Sequence, residues 1–100
     1  MQAETLVDAI RRLTDHGFTH GLQARRGRLR DLATGEFYDP ESLQIVEVVR
    51  FEGATDPDEE AVLFALRLPQ GAPLGLYSAV FGPAMPPEDG EVVRRLGAKN

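Results

Sequence analysis

The sequence predicts an α+β domain: an antiparallel meander sheet of four to five strands, with N- and C-terminal helices packed on one face. Three observations lead there. Residues 45–51, 61–68 and 74–81 are apolar runs of strand length, rich in β-branched, leucine and aromatic residues and separated by turn-forming gaps. Residues 4–16 carry Leu6, Val7, Ile10 and Leu13 on one helical face, with Asp8, Arg11, Arg12 and Asp15 on the other. Near the other end, Val92, Val93 and Leu96 repeat that helical spacing on a shorter segment.

One hundred residues, 42% hydrophobic and 27% charged, make a single globular domain over 1–100 rather than a disordered tail. Cysteine is absent, which excludes disulfides, thiolate chemistry and zinc sites built on cysteine pairs. No signal-peptide pattern opens the chain and no stretch reaches the roughly 18 apolar residues of a membrane span, so a cytoplasmic location with no membrane partner is the expectation.

In chain order, Thr5 with Asp8 is a weak capping box for the first helix. Gly17 is placed to take the left-handed conformation at its end, and His16 to meet the negative end of its dipole. Residues 18–33 alternate only briefly and are interrupted at Gly21 and at Arg26-Gly27, which predicts an irregular hairpin. Its arginines, Arg25, Arg26, Arg28 and Arg30, are expected on exposed strand edges, where charge blocks unwanted edge pairing. Thr34-Gly35 signals a turn, and Asp39-Pro40 a helical turn that delivers the chain into the meander. Pro87 with Glu88 and Asp89 opens the second helix, and Gly97 ends it.

Charge is distributed unevenly. Residues 11–30 hold six arginines and one acid, whereas residues 36–60 hold nine acids and only Arg50. The net charge of −5 and pI near 4.9 argue against bulk nucleic-acid binding, so nucleic acid is an unlikely partner by composition. Binding through the arginines at 25–30 remains an alternative of a weak kind, since Phe18 and Phe37 read as too few and too distant for a stacking platform.

The gap between the first two meander strands, residues 53–60, is longer than a tight hairpin needs. Asp56 before Pro57 forms turns by accepting backbone N–H bonds, and a local polar network of Arg50, Glu52, Asp56 and Asp58 is the expected arrangement. The alternative is a divalent-cation site on Asp56, Asp58 and Glu60, with Glu52, serving a small metal-dependent enzyme that also uses Tyr77 and a histidine. The loop lacks the glycine and glutamate spacing of an EF-hand. Two serines, two histidines and no cysteine leave little material for a nucleophile and base, and neither a catalytic residue, a metal ligand nor a cofactor is assigned. The favoured function is a non-enzymatic interaction or small-ligand-sensing module.

The run Arg50-Phe51-Glu52-Gly53-Ala54-Thr55-Asp56-Pro57-Asp58, with Gly75-Leu76-Tyr77-Ser78-Ala79-Val80-Phe81-Gly82 later, resembles a family of small uncharacterised bacterial proteins sharing an Arg-Phe-Glu-Gly-x-Ser/Thr-Asp-Pro-Asp/Glu signature. Some members of that family are labelled phosphoribosylpyrophosphate synthetase. The label does not carry over, because no Gly-rich phosphate loop joins a strand to a helix here and 100 residues cannot hold two doubly wound nucleotide pockets.

A homodimer is also expected. Val62, Phe64, Leu66 and Leu68 alternate with Ala61, Leu63 and Ala65, so both faces of the central strand are apolar, and two short helices on one face leave the other to a twofold partner or to residues 18–33.

Overall fold

The computed structural model describes residues 4–52, 60–83 and 85–97, without the side chains of Glu52, Glu60 and Phe81. Its order is α1 (Leu6–Asp15), β1 (His20–Arg25), β2 (Arg28–Asp31), β3 (Phe37–Tyr38), a 3₁₀ turn (Pro40–Ser42), β4 (Gln44–Glu52), β5 (Glu60–Arg67), β6 (Pro73–Phe81) and α2 (Pro87–Gly97).

Among the described residues six strands form one sheet in the order β3-β2-β1-β6-β5-β4. The class is α+β as expected, but the sheet is mixed. β4, β5 and β6 form the meander, β1, β2 and β3 a second antiparallel unit, and the two join where β1 runs parallel to β6 with His20 opposite Gly75 and Leu22 opposite Tyr77. The third strand of the small unit is only Phe37–Tyr38, too short to leave a periodicity in the sequence. Gly75 permits the join, because a Cβ there would lie 2.1 Å from the His20 carbonyl oxygen.

The helices lie on opposite faces, which corrects the expectation that both pack on one. α1 buries Ala9 and Leu13 with Phe18 against Leu63 and Ala65, while α2 buries Val92 and Leu96 against Val62, Phe64, Leu66, Tyr77 and Ala79. Because each face of β5 meets its own helix, its double apolar character needs no second molecule. A bulge at Leu74 turns that side chain into the α2 cluster rather than alongside Leu76.

The helix ends follow the sequence. Thr5 Oγ1 accepts the Asp8 N–H at 3.1 Å, Gly17 has φ +102°, and His16 Nδ1 donates to the Arg12 carbonyl at 2.7 Å. The apolar stripe of α1 is less covered than its pattern suggests. Small Ala9 and Leu13 face the sheet, and Leu6, Val7 and Ile10 remain exposed. Arg12 fastens the helix to β4, donating from Nε to Glu4 Oε2 at 2.7 Å and from Nη1 to Glu47 Oε1 at 3.1 Å. No helix among the described residues is long and apolar enough to cross a membrane.

Candidate functional site

The side of the sheet that carries α1 is covered only over β4–β6. Over β1–β3 the same side is wet, and alternation assigns its residues. Leu22 and Ala24 on β1 and Leu29 and Asp31 on β2 are buried toward α2, so Gln23, Arg25, Arg28, Arg30 and Phe37 stand on the opposite, open side. Register sets them in rows. Gln23 is opposite Arg30, which is opposite Phe37, and Arg25 is opposite Arg28.

β1 and β2 are interior strands, so the arginines at 25, 28 and 30 do not guard an edge, contrary to their expected role. The hairpin is regular rather than irregular. Its two-residue turn has positive φ at both Arg26 (52°) and Gly27 (78°), the combination that matches the twist of a β-hairpin. Arginine in this left-handed conformation costs about 1–2 kcal/mol relative to a residue that adopts it freely.

The turn is held from behind by α2. Glu88 Oε1 accepts the Arg26 N–H at 3.2 Å, and the Arg95 guanidinium donates to the Gly27 carbonyl and, bidentately at 2.7 Å each, to Glu41. A side chain at residue 27 would meet the Glu91 carboxylate 2.3 Å from its Cβ. Two cations of this region are therefore occupied: Arg95 by Glu41 and Arg28 by Asp39 at 3.1 Å. Arg25, Arg26 and Arg30 have no side-chain ion pair or hydrogen bond among the described residues.

All three line a cavity of about 340 Å³, together with Phe37 and Glu88. An adjoining one of about 420 Å³ shares Arg25, Arg26 and Phe37 and adds Arg28. Phe37 is half exposed, the one exposed aromatic ring among the described residues. Its distance from the arginines in sequence concealed that β3 sets it beside Arg30, which corrects the reading that it is too far away. Phe18, by contrast, is buried under α1.

The far end of β1 and β2 is fixed by Asp31, which is fully buried. Its Oδ2 accepts from His20 Nδ1 at 2.6 Å, and its Oδ1 accepts the N–H groups of Ala33 at 2.8 Å and Thr34 at 3.4 Å. Burial alone would push this carboxyl up, but the hydrogen bond from His20, the two backbone N–H bonds and the His20 charge outweigh it and hold it below the usual range. The sequence gives no hint of this pair, since positions 20 and 31 meet only through the β1–β2 register. The pair staples the turn that follows β2, with Asp31 bonded to His20 on one side and to the Ala33 and Thr34 N–H groups on the other.

The residues singled out from the sequence divide. Arg50 and Tyr77 share the α2 side of the sheet but sit on β4 and β6, two strands apart. Tyr77 is buried, stacked on Phe64 with ring centroids 5.9 Å apart, and its hydroxyl donates to Asp89 Oδ1 at 2.6 Å. Burial, then the bond to Asp89, push its pKa well up, so it is a neutral anchor for α2. Glu52 closes β4 opposite Glu60, and Asp56 and Asp58 lie outside the described residues, as does the cation site imagined there. Among the described residues no three histidine, aspartate or glutamate side chains gather to hold a metal ion.

Comparison with protein-family models, with curated proteins and with solved structures gives no match in any of the three.

Proposed function

We propose that the protein is a non-enzymatic binding module that takes an anionic ligand on the open side of β1–β3. The observation that carries this reading is the set of three arginines without a carboxylate partner, Arg25, Arg26 and Arg30, around one cavity with Phe37. Among the described residues these guanidinium groups are unpaired, two on interior strands and one, Arg26, at a strained position of the turn between them, and they serve neither edge protection nor core packing. Their fork of donors suits phosphate and carboxylate oxygens. Overall acidity directs such a ligand to this patch and away from the rest of the surface.

The test is titration with inorganic tripolyphosphate, followed by calorimetry at low and high salt. Binding that weakens with salt, and weakens at least tenfold in Arg25→Ala/Arg30→Ala, supports the reading. Binding untouched by that double substitution would place the ligand elsewhere.

A homodimer in the cytoplasm belongs to the same proposal, on a changed basis. Leu6, Val7 and Ile10 of α1 and Val80 of β6 are exposed apolar residues on the α1 side of the sheet, a surface a twofold copy can bury. Leu63 is buried beneath α1 and takes no part in that surface. Light scattering after gel filtration should give 22 kDa for the protein and 11 kDa for Val7→Glu/Ile10→Glu, and an 11 kDa native species at high micromolar concentration would sink the dimer.

A further inference from the structure

We infer that the anion taken by the β1–β3 surface is a nucleotide unit, whose phosphate meets Arg25, Arg26 and Arg30 while its base stacks on Phe37. This rests on the anion-binding reading above and adds the base to it.

Phosphate alone would use the arginines and leave the ring without a role. A half-exposed phenylalanine set directly across from Arg30 offers a flat apolar face beside charged donors. A nucleotide presents that pair of needs in one molecule: a planar π-face and, attached to it, an anion. An acidic peptide satisfies the charge but has no necessary planar group. The row from β1 to β3 places Gln23, Arg30 and Phe37 side by side at strand spacing, about 4.8 Å per step. Gln23 thus brings an amide, donor and acceptor together, to the row that holds the ring. The row of Arg25 and Arg28 lies two residues along, about 6.7 Å away.

Both cavities, about 340 and 420 Å³, fall in the range of roughly 300–1,000 Å³ typical of small-ligand sites. Because they adjoin and share Phe37, Arg25 and Arg26, the source of the nucleotide is either a free molecule in one cavity or a short single strand crossing both. Arg26, at the left-handed turn position, lines both cavities. Among the described residues Glu88 is the one carboxylate of the lining, and its Oε1 already accepts the Arg26 N–H.

The experiment exploits the absence of tryptophan from the chain. Phe37→Trp keeps an aromatic face and supplies a fluorophore, to be titrated with ADP, with an eight-residue oligothymidylate and with tripolyphosphate. Quenching by ADP and the oligonucleotide but not by tripolyphosphate is expected. In otherwise unsubstituted protein, Phe37→Leu should weaken both nucleotides about tenfold and change tripolyphosphate binding less than twofold. Tighter binding of the oligonucleotide than of ADP identifies a single strand, and equal binding a free nucleotide. If tripolyphosphate binds as well as the nucleotides and Phe37→Leu changes nothing, the base assignment is wrong while the anion site stands. If none of the three binds, both readings fall together.

Discussion

Asp31 ties the start of β1 to the turn that launches β3, so removing its carboxylate should loosen the open surface from one end. Asp31→Ala deletes three acceptor contacts: His20 Nδ1 at 2.6 Å, Ala33 N at 2.8 Å and Thr34 N at 3.4 Å. Ala33 and Thr34 are exposed, so water takes over their N–H groups and the backbone part resembles loss of a cap, about 1 kcal/mol. The short bond to His20 adds about 1–2 kcal/mol, and the small cavity left at a fully buried position does not reduce the sum. The total is about 2–3 kcal/mol, which for a domain of this size lowers Tm by about 10–20 °C. Asp31→Asn keeps an oxygen for Ala33 and Thr34 and should lose about half as much. Urea unfolding followed by circular dichroism measures both. A loss below about 0.5 kcal/mol in Asp31→Ala would refute the assignment of this residue as the staple of the turn.

Four further outcomes are expected. Tyr77→Phe should cost about 1–2 kcal/mol in chemical melts, because a buried hydroxyl bonded to Asp89 is lost, and it should leave ligand binding unchanged. Arg26→Asn should raise stability by about 0.5–1 kcal/mol through relief of the left-handed backbone, and at the same time weaken tripolyphosphate binding in calorimetry; a gain in both would contradict the placement of Arg26 at the cavity. Gly75→Ala should cost several kcal/mol or prevent folding, since its Cβ runs into the His20 carbonyl, and soluble expression with thermal melting reads this directly. Stability should also fall in acid. Hydrogen bonds from Arg12 hold Glu4 and Glu47, and those from Arg95 hold Glu41, below the ordinary glutamate value of 4.5, while Asp31 is held below 3.8 despite its burial. Because the unfolded chain then binds protons more readily, this contribution is complete above about pH 5 and is lost as pH drops through the lowered folded values. Urea midpoints that do not change between pH 5 and pH 3 would contradict it.

Where periodicity is long, the elements were legible: α1 with its Thr5 cap and Gly17 end, the three meander strands, and α2 with its acidic start all follow from side-chain spacing. Which face each helix covers was not, since the apolar sets of β5 alternate in the same way whether one helix or two lie above it. The parallel junction of β1 and β6 joins residues more than fifty positions apart and depends on a backbone approach at Gly75, which a hydropathy pattern does not express. The candidate site was half visible. The arginine cluster stood out as composition, but Phe37 belongs to a strand of two residues, and its place opposite Arg30 is a consequence of register alone. The acidic loop drew attention for its length and charge, and its central residues, Asp56 and Asp58, lie outside the described residues.

The junction between β1 and β6 also bears on how the chain reaches its native state. On either side of it the sheet is made of neighbours in sequence: β1 with β2 and β3, and β4 with β5 and β6. Each hairpin-built half closes short loops and can form early, on the microsecond scale of hairpins. Zipping β1 against β6 closes a loop that spans the whole of β2–β5, so its entropy is lost only after both halves exist. Substitutions at the seam, such as at Leu22, should therefore speed unfolding far more than they slow folding, whereas those within the β5–β6 hairpin should retard folding itself. The arginines belong to the first half, but Glu88 and Arg95 of α2 hold the turn between β1 and β2, so their surface acquires its full geometry only once the C-terminal helix has docked.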